Sequence, residues 1–328
     1  VATTSAVDQT SQATSQMDID ATLESKNLAV GMSEDKLSEI GELCRRGFEL
    51  DYNSREEWIT DLKDYIELAK QVRRAKTWPW PESSNVKYPL LSTAAMQFAA
   101  RSYPSLVPSN GKIVKSVVIG KDADGQKLEK AERVSDYMSY QVMYEMCGWE
   151  EDMDKMLMML PIVGTMFKKT YYDRNEDKIV SRLVLPENLV VNYWTQSLED
   201  SERVSEIFFL SARQLKERQL KELYLDVDLG APAQPEVENN TFISTDETTP
   251  YELIEQHTFL DLDDSDYALP YIVTFERRTG KVLRIQNRYR FDDVETNDKG
   301  KIVRAKPIQA YTKFGFIPNP DGSFYDIG

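Results

Sequence analysis

The sequence predicts an α+β chain: a helix-rich first half followed by a mostly antiparallel, strand-rich second half. Apolar residues recur at threes and fours up to about residue 164, and from residue 165 the recurrence shifts to twos. The later apolar segments mostly follow one another through polar turns, as in antiparallel sheets, with one helix after Leu210. The expected organisation is a flexible arm over 1–32, a helical part over 33–164 and a β-rich part over 165–328.

The arm is rich in Ser, Thr, Gln, Ala and Asp and has too few large apolar groups to order itself. From Ser33, Leu37, Ile40, Leu43, Cys44 and Phe48 mark a first helix. Ser54 and Glu57 have capping-box spacing, and Trp58, Leu62, Tyr65, Ile66 and Ala69 then form the stripe of a second helix. The run TWPWPESSNVKYPLL contains Pro79, Pro81 and Pro89, which lack a backbone donor and bias their predecessors away from helix. A rigid, irregular connection is expected there. Pro89 suits the start of a third helix through Ala94, Ala95, Phe98 and Ala99, ending before Pro104.

Ile113 to Ile119 reads as a short strand and Asp122 to Gly125 as a turn. Ala131, Val134, Met138 and Val142 mark a long amphipathic helix. A further helix from Glu150 buries Met153, Met156, Leu157 and Leu160, with Pro161 kinking or stopping it and Gly164 as its C-terminal cap. Beyond it, MFKKTYYD and KIVSRLVLP flank the polar turn 173–177 as a hairpin. Val204 to Leu210 is another strand, and Ser211 with Gln214 caps the helix after it. A polar loop over 230–250 precedes strands in YELIEQHTFLDLD, PYIVTFERR, KVLRIQNRYRF and KIVRAKPIQAYTKF, with Thr279-Gly280 and Lys299-Gly300 at turns. No solenoid period is visible.

Of 328 residues, 41% are hydrophobic and 29% charged, an ordinary globular composition. The longest apolar run, Met156 to Val163, is far shorter than the roughly 20 residues needed to cross a bilayer. The N-terminus has no basic start and apolar h-region, so no secretory signal is expected. Cys44 and Cys147 have no zinc spacing, which fits a reducing compartment. The net charge of −15 disfavours tight gripping of phosphates but suits a surface that nucleic acid slides past. The basic residues fall in short pairs, Arg45-Arg46, Arg73-Arg74, Lys168-Lys169 and Arg277-Arg278, and read as solvated faces or partners of local carboxylates.

No motif specifies chemistry. His257, the only histidine, lies in a strand segment without a Ser-Asp or Cys partner pattern and reads as a paired sheet histidine. The stretch from Gly120 to Gly125 lacks the Lys and hydroxyl that follow the second glycine of a phosphate loop, because Gln126 comes next. Asp261, Asp263, Asp264 and Asp266 lack the central Gly and closing Glu of a calcium loop and read as an acidic turn. No cofactor and no metal is expected. Met143, Met146, Met153, Met156, Met158, Met159 and Met166 form a concentration suited to a core or to an adaptable subunit contact, with core preferred. Trp78 and Trp80 are flanked by prolines, unlike base-stacking aromatics interleaved with Lys and Arg, and read as packing against a neighbouring subunit or element.

The stretch KTWPWPESSNVKYPLLSTAAMQFAARSYPSLVP resembles the N-terminal region of portal proteins of tailed bacteriophages, particularly short-tailed ones. AERVSDYMSYQVMYEMCGWEEDMDKMLMMLPIVGTMFKKTYYD is similar to that family's helix, helix and hairpin. LVLPENLVVNYWTQSLEDSERVSEIFFLSARQL is similar to its following sheet and helix, and GFIPNPDGSFYDIG to the segment leading into its stem. The likeness spans roughly residues 40 to 328 and is structural, with no catalytic signature.

The resemblance implies a non-enzymatic subunit of a dodecameric ring at one capsid vertex of the virion, assembled in the host cytoplasm. Such rings pass double-stranded DNA during packaging and ejection, without sequence specificity. They dock large terminase and head-tail adaptor or tail proteins, and they meet major capsid and scaffolding proteins. The residues present would be the wing, with the stem, clip and crown expected beyond Gly328. Trp78, Trp80, Asn85, Tyr88, Met156 and Met159 are the candidate subunit-contact or packing residues. Two other readings stand beside it: another virion component, such as a head-tail adaptor or minor capsid protein, and a carboxylate-dependent hydrolase. The hydrolase requires a deep pocket holding a carboxylate of raised pKa.

Overall fold

A computed structural model describes residues 25–72, 78–80, 84, 88–122, 124–173, 177–232, 249–262, 267–296 and 302–328. The chain is α+β, with six α-helices among the described residues, mainly N-terminal, and antiparallel sheets mainly C-terminal. The helices are α1 (Glu34–Ser54), α2 (Glu56–Ala69), α3 (Leu90–Leu106), α4 (Gln126–Tyr140), α5 (Trp149–Val163) and α6 (Ala212–Leu220). The strands are β1 (Thr165–Asp173), β2 (Lys178–Val184), β3 (Leu189–Val191), β4 (Val204–Leu210), β5 (Tyr251–Leu260), β6 (Leu269–Glu276), β7 (Val282–Asn287), β8 (Val294–Thr296), β9 (Ile302–Ala305) and β10 (Tyr311–Gly315). They form sheets in the orders β10-β1-β2, β3-β4-β5-β6-β7 and β8-β9.

The chain divides into two compact units that cut across the helical and β-rich halves: Val1–Ser54 with Asn188–Gln309, and Arg55–Glu187 with Ala310–Gly328. In the first unit the five-stranded sheet is covered on both faces. Ile254, Val273, Phe275 and Ile285 face Ile40, Cys44 and Phe48 of α1. Leu253 and Leu283 turn the other way, towards Leu215 of α6 and Tyr224. This two-sided burial explains why β6, LPYIVTFE, reads as an almost continuous apolar run with few polar alternations. Close approach also fixes one glycine: a Cβ on Gly41 would lie 2.1 Å from the Gly280 carbonyl oxygen, so only glycine lets α1 meet the β6–β7 turn. At that turn Gly280 has φ +71° and its amide donates to Glu276 O, as the Thr279-Gly280 signal predicts.

The second unit packs Leu62 of α2 against Met153, Met156, Leu160 and Val163 of α5 and Met166 of β1. Strand β10 pairs with β1, Thr165 opposite Gly315 and Lys169 opposite Tyr311, so this sheet is completed by a segment remote in sequence. Gly164 ends α5 at φ +77°, its amide donating to Leu160 O. Pro161 lies inside α5 without stopping it.

Several expectations need correction. The arm gives way to packed structure before residue 32. The Asn27 side chain donates to Leu223 O and Leu283 O and accepts from the Ala29 and Ile285 amides, tying the turn Leu28–Gly31 to β7. Residues 1–24 lie outside the described residues. The capping box at Ser54 does not form, because α1 runs through Ser54 and denies it the extended geometry of an N-cap. Its hydroxyl instead donates to Asp51 O and accepts from the Tyr193 amide. Helix α3 continues past Pro104 to Leu106, since a proline in the last turn forfeits little of the ladder. Ile113 to Ile119 is not a strand: the Val114 amide and carbonyl are met by the Ser139 and Ser135 hydroxyls of α4 in place of a ladder. KIVRAKPIQAYTKF divides at Pro307 into β9 and β10, and β8 was not foreseen. The Ser211–Gln214 capping box is present on α6. Most of the 230–250 loop and the Lys299-Gly300 turn fall outside the described residues.

Candidate assembly surface

The candidate contact residues separate by burial. Met156 is buried in the core of the second unit, and Met159 packs partly against the same cluster. Trp78, Trp80 and Tyr88 are solvent-facing, Trp78 at 81% and Tyr88 at 82% exposure. Asn85 lies outside the described residues. The methionine concentration is likewise mixed. Met153, Met156 and Met166 are buried, while Met158 is exposed and lines an open cavity of about 270 Å³ with Ile66, Ala69, Met96, Met159 and Ile162. Lys70 and Ser92 supply the polar part of that wall, which has no carboxylate among the described residues.

An uncovered apolar surface lies around α4, whose stripe the sequence marks only as that of an amphipathic helix. A helix of this length normally gains its stability by burying a stripe. Only one of the fifteen α4 residues, Ser139, is buried. Val134, Tyr137 and Met138 at helical spacing stay exposed, as do Tyr140 and Tyr144, whose rings stack 5.4 Å apart where α4 passes into a π-turn over Gln141–Glu145. Packed beside it, the segment ending at Ile119 leaves that side chain 93% exposed. The signal available in the sequence was the tyrosine spacing, but spacing alone does not tell a stripe facing a core from one facing solvent.

The groups weighed for chemistry have structural surroundings. His257 sits on β5 between Val204 and Ile272, buried, with its Nε2 3.2 Å from Glu255 Oε1. Gly125, at φ +70°, starts α4, and the Asp122 carboxylate accepts from the Leu128 amide, so this turn serves as a helix start. Asp263, Asp264 and Asp266 lie outside the described residues, and no group of three or more metal-ligating side chains occurs among those described. No described helix is long and apolar enough to cross a membrane. Burial pushes the Cys44 thiol up to about 12, whereas Cys147 is exposed. A thiol reagent is therefore expected to label Cys147 rapidly in the native protein and Cys44 only on unfolding, measured by mass spectrometry of labelled peptides.

Two cations unremarked in the sequence turn out to be structural. Arg55, fully buried in the second unit, donates from Nη1 to Pro186 O and from Nη2 to Glu187 O, each at 2.7 Å. Tyr325, under that guanidinium, stacks on Trp58 with centroids 4.0 Å apart. In the first unit Arg203 grips the buried Asp51 carboxylate through Nε and Nη2 at 2.9 and 3.0 Å, and Asn192 donates to the same group. That hydrogen-bonded carboxylate raises the Arg203 pKa.

Lys168 differs. Its Nζ has no hydrogen-bond partner among the described residues and lies 4.9 Å from the Trp149 ring centroid. Burial pushes its pKa down, opposed by the Asp152 carboxylate. The native state thus binds fewer protons here than the unfolded chain, so stability rises with pH from the depressed native value up to the ordinary lysine range. Lys168→Met is expected to stabilise the chain at neutral pH by on the order of 1 kcal/mol, with the gain shrinking as pH rises through that window, measured by urea unfolding.

Comparison with models of known protein families found no match, and a search of curated proteins found none either.

Proposed function

We propose that this chain is a wing-type subunit of a bacteriophage portal ring: a non-enzymatic conduit for double-stranded DNA at a capsid vertex, docking terminase and tail adaptors. The reading starts from the sequence resemblance. The observation that favours an assembly subunit is the uncovered face of α4, with Val134, Tyr137 and Met138 left to solvent beside Ile119. Exposed apolar side chains clustered on one face are characteristic of an interaction site. Trp78, Trp80 and Tyr88 add large anchors of the type enriched at interface hot spots. Unlike faces meeting side by side close into a ring when the rotation permits.

The net charge of −15 supports a channel component that DNA passes without being held. Native mass spectrometry of the full-length protein under assembly conditions tests the reading. A closed homo-oligomer is the expected species, and a monomer at every concentration would rule it out.

A further inference from the structure

We infer that residues 113–119 are a strand awaiting its sheet, donated to the open edge of β8 in a second copy of this chain; the inference rests on the ring reading above. The segment IVKSVVI is built from β-branched residues, the composition of a strand. Its burial alternates with the period of a strand: positions 114, 116 and 118 are half-buried, and 115, 117 and 119 are exposed. Yet it belongs to no ladder among the described residues, and Val117 is among the most exposed apolar residues of the chain. In a strand the N–H and C=O of one residue point to the same side, and the side alternates along the chain. Those of Val114 are taken by Ser139 and Ser135 of α4, which leaves those of Lys115, Val117 and Ile119 turned to the open side. Such a row of backbone groups is a template for another chain.

Charge selects the partner. Lys115, the one charged residue within 113–119, makes the segment basic in a chain of net charge −15, with Lys121 just beyond it, while Lys112 on the other side pairs with Asp136. Antiparallel pairing with the same segment of another copy would bring lysines together, so a different, acidic edge is favoured. Among the described edges, β2 carries Lys178 and Arg182, and β10 carries Lys313. The edge of β7 is covered by Asn27 and Leu225. Strand β3 is wholly apolar, and β9 carries Arg304, which lies opposite Glu295 of β8 in a weak, exposed pair. Among the described strands, β8 pairs with β9 alone and follows Asp292 and Asp293, which add acidic groups beside Glu295. It is the described open edge whose charge complements the segment.

Two prolines and a charge swap in the full-length protein test this. Val117→Pro removes a donor from the open side, whereas Val118→Pro removes one that faces α4. Assembly measured by mass photometry should weaken about tenfold or more with V117P and change little with V118P. The amides of Val117 and Ile119 should exchange slowly with deuterium in the assembled protein and fast in the monomer. K115E should weaken assembly, and adding E295K should restore it, which keeps the test valid should a proline variant fail to fold. Rings that form equally well with V117P and K115E, or amides that stay fast in the ring, would overturn the strand while leaving the ring reading intact. A protein that never assembles would overturn both.

Discussion

Arg55→Ala is expected to cost about 3–5 kcal/mol, because it strips the donors from two carbonyls and leaves a cavity where a fully buried side chain stood. The guanidinium bridges the start of α2 to the Pro186 and Glu187 carbonyls that leave β2, and Tyr325 closes over it from the C-terminal segment. It thereby ties three sequence-distant parts of the second unit together. Arg55→Lys separates shape from charge. One ammonium cannot reproduce the planar fork that reaches both oxygens, so lysine should recover only part of the loss. Chemical denaturation of the parent protein and the two variants checks the order Arg, Lys, Ala. Equal stability of the parent protein and the Arg55→Ala variant would show that solvent satisfies those carbonyls unaided.

Asp51→Ala should cost about 3 kcal/mol in the first unit, towards the lower end of what breaking a buried ion pair costs. Asp51 is buried, but about a third of the Arg203 side chain remains exposed, and water softens the loss on that side. The pair also explains a small residue in α1: a Cβ on Gly47 would come within 3.0 Å of the Arg203 side chain. Removing both partners, as in Asp51→Leu with Arg203→Met, should restore much of the stability that either single change loses, since no charge is left unpaired. A double-mutant cycle by urea denaturation measures that coupling.

The sequence was a good guide where burial follows a period. The α1 stripe of Ile40, Cys44 and Phe48, the α5 stripe, the β1–β2 hairpin and the Ser211 cap are all local patterns, and they stand where the spacing puts them. It failed where remote partners decide. Val114 lost its strand to two serine hydroxyls on α4, and Ser54 lost its cap because α1 did not stop. The pairing of β10 with β1 joins segments whose sequences carry no mutual signal. Arg55 and Asp51 look like ordinary surface charges until the carbonyls and the guanidinium that surround them are in place. At the candidate surface, Trp78, Trp80 and Tyr88 drew notice through their proline-rich setting, but the uncovered face of α4 did not, because an amphipathic stripe looks the same whether its partner is a core or a second molecule.

The central proposal is a subunit that closes into a ring around DNA. Electron microscopy of the purified full-length protein under assembly conditions tests it most directly. The account predicts closed rings of a single rotational symmetry, twelvefold on the portal resemblance, with an axial channel. Strictly monomeric particles, or open filaments without a channel, would contradict it.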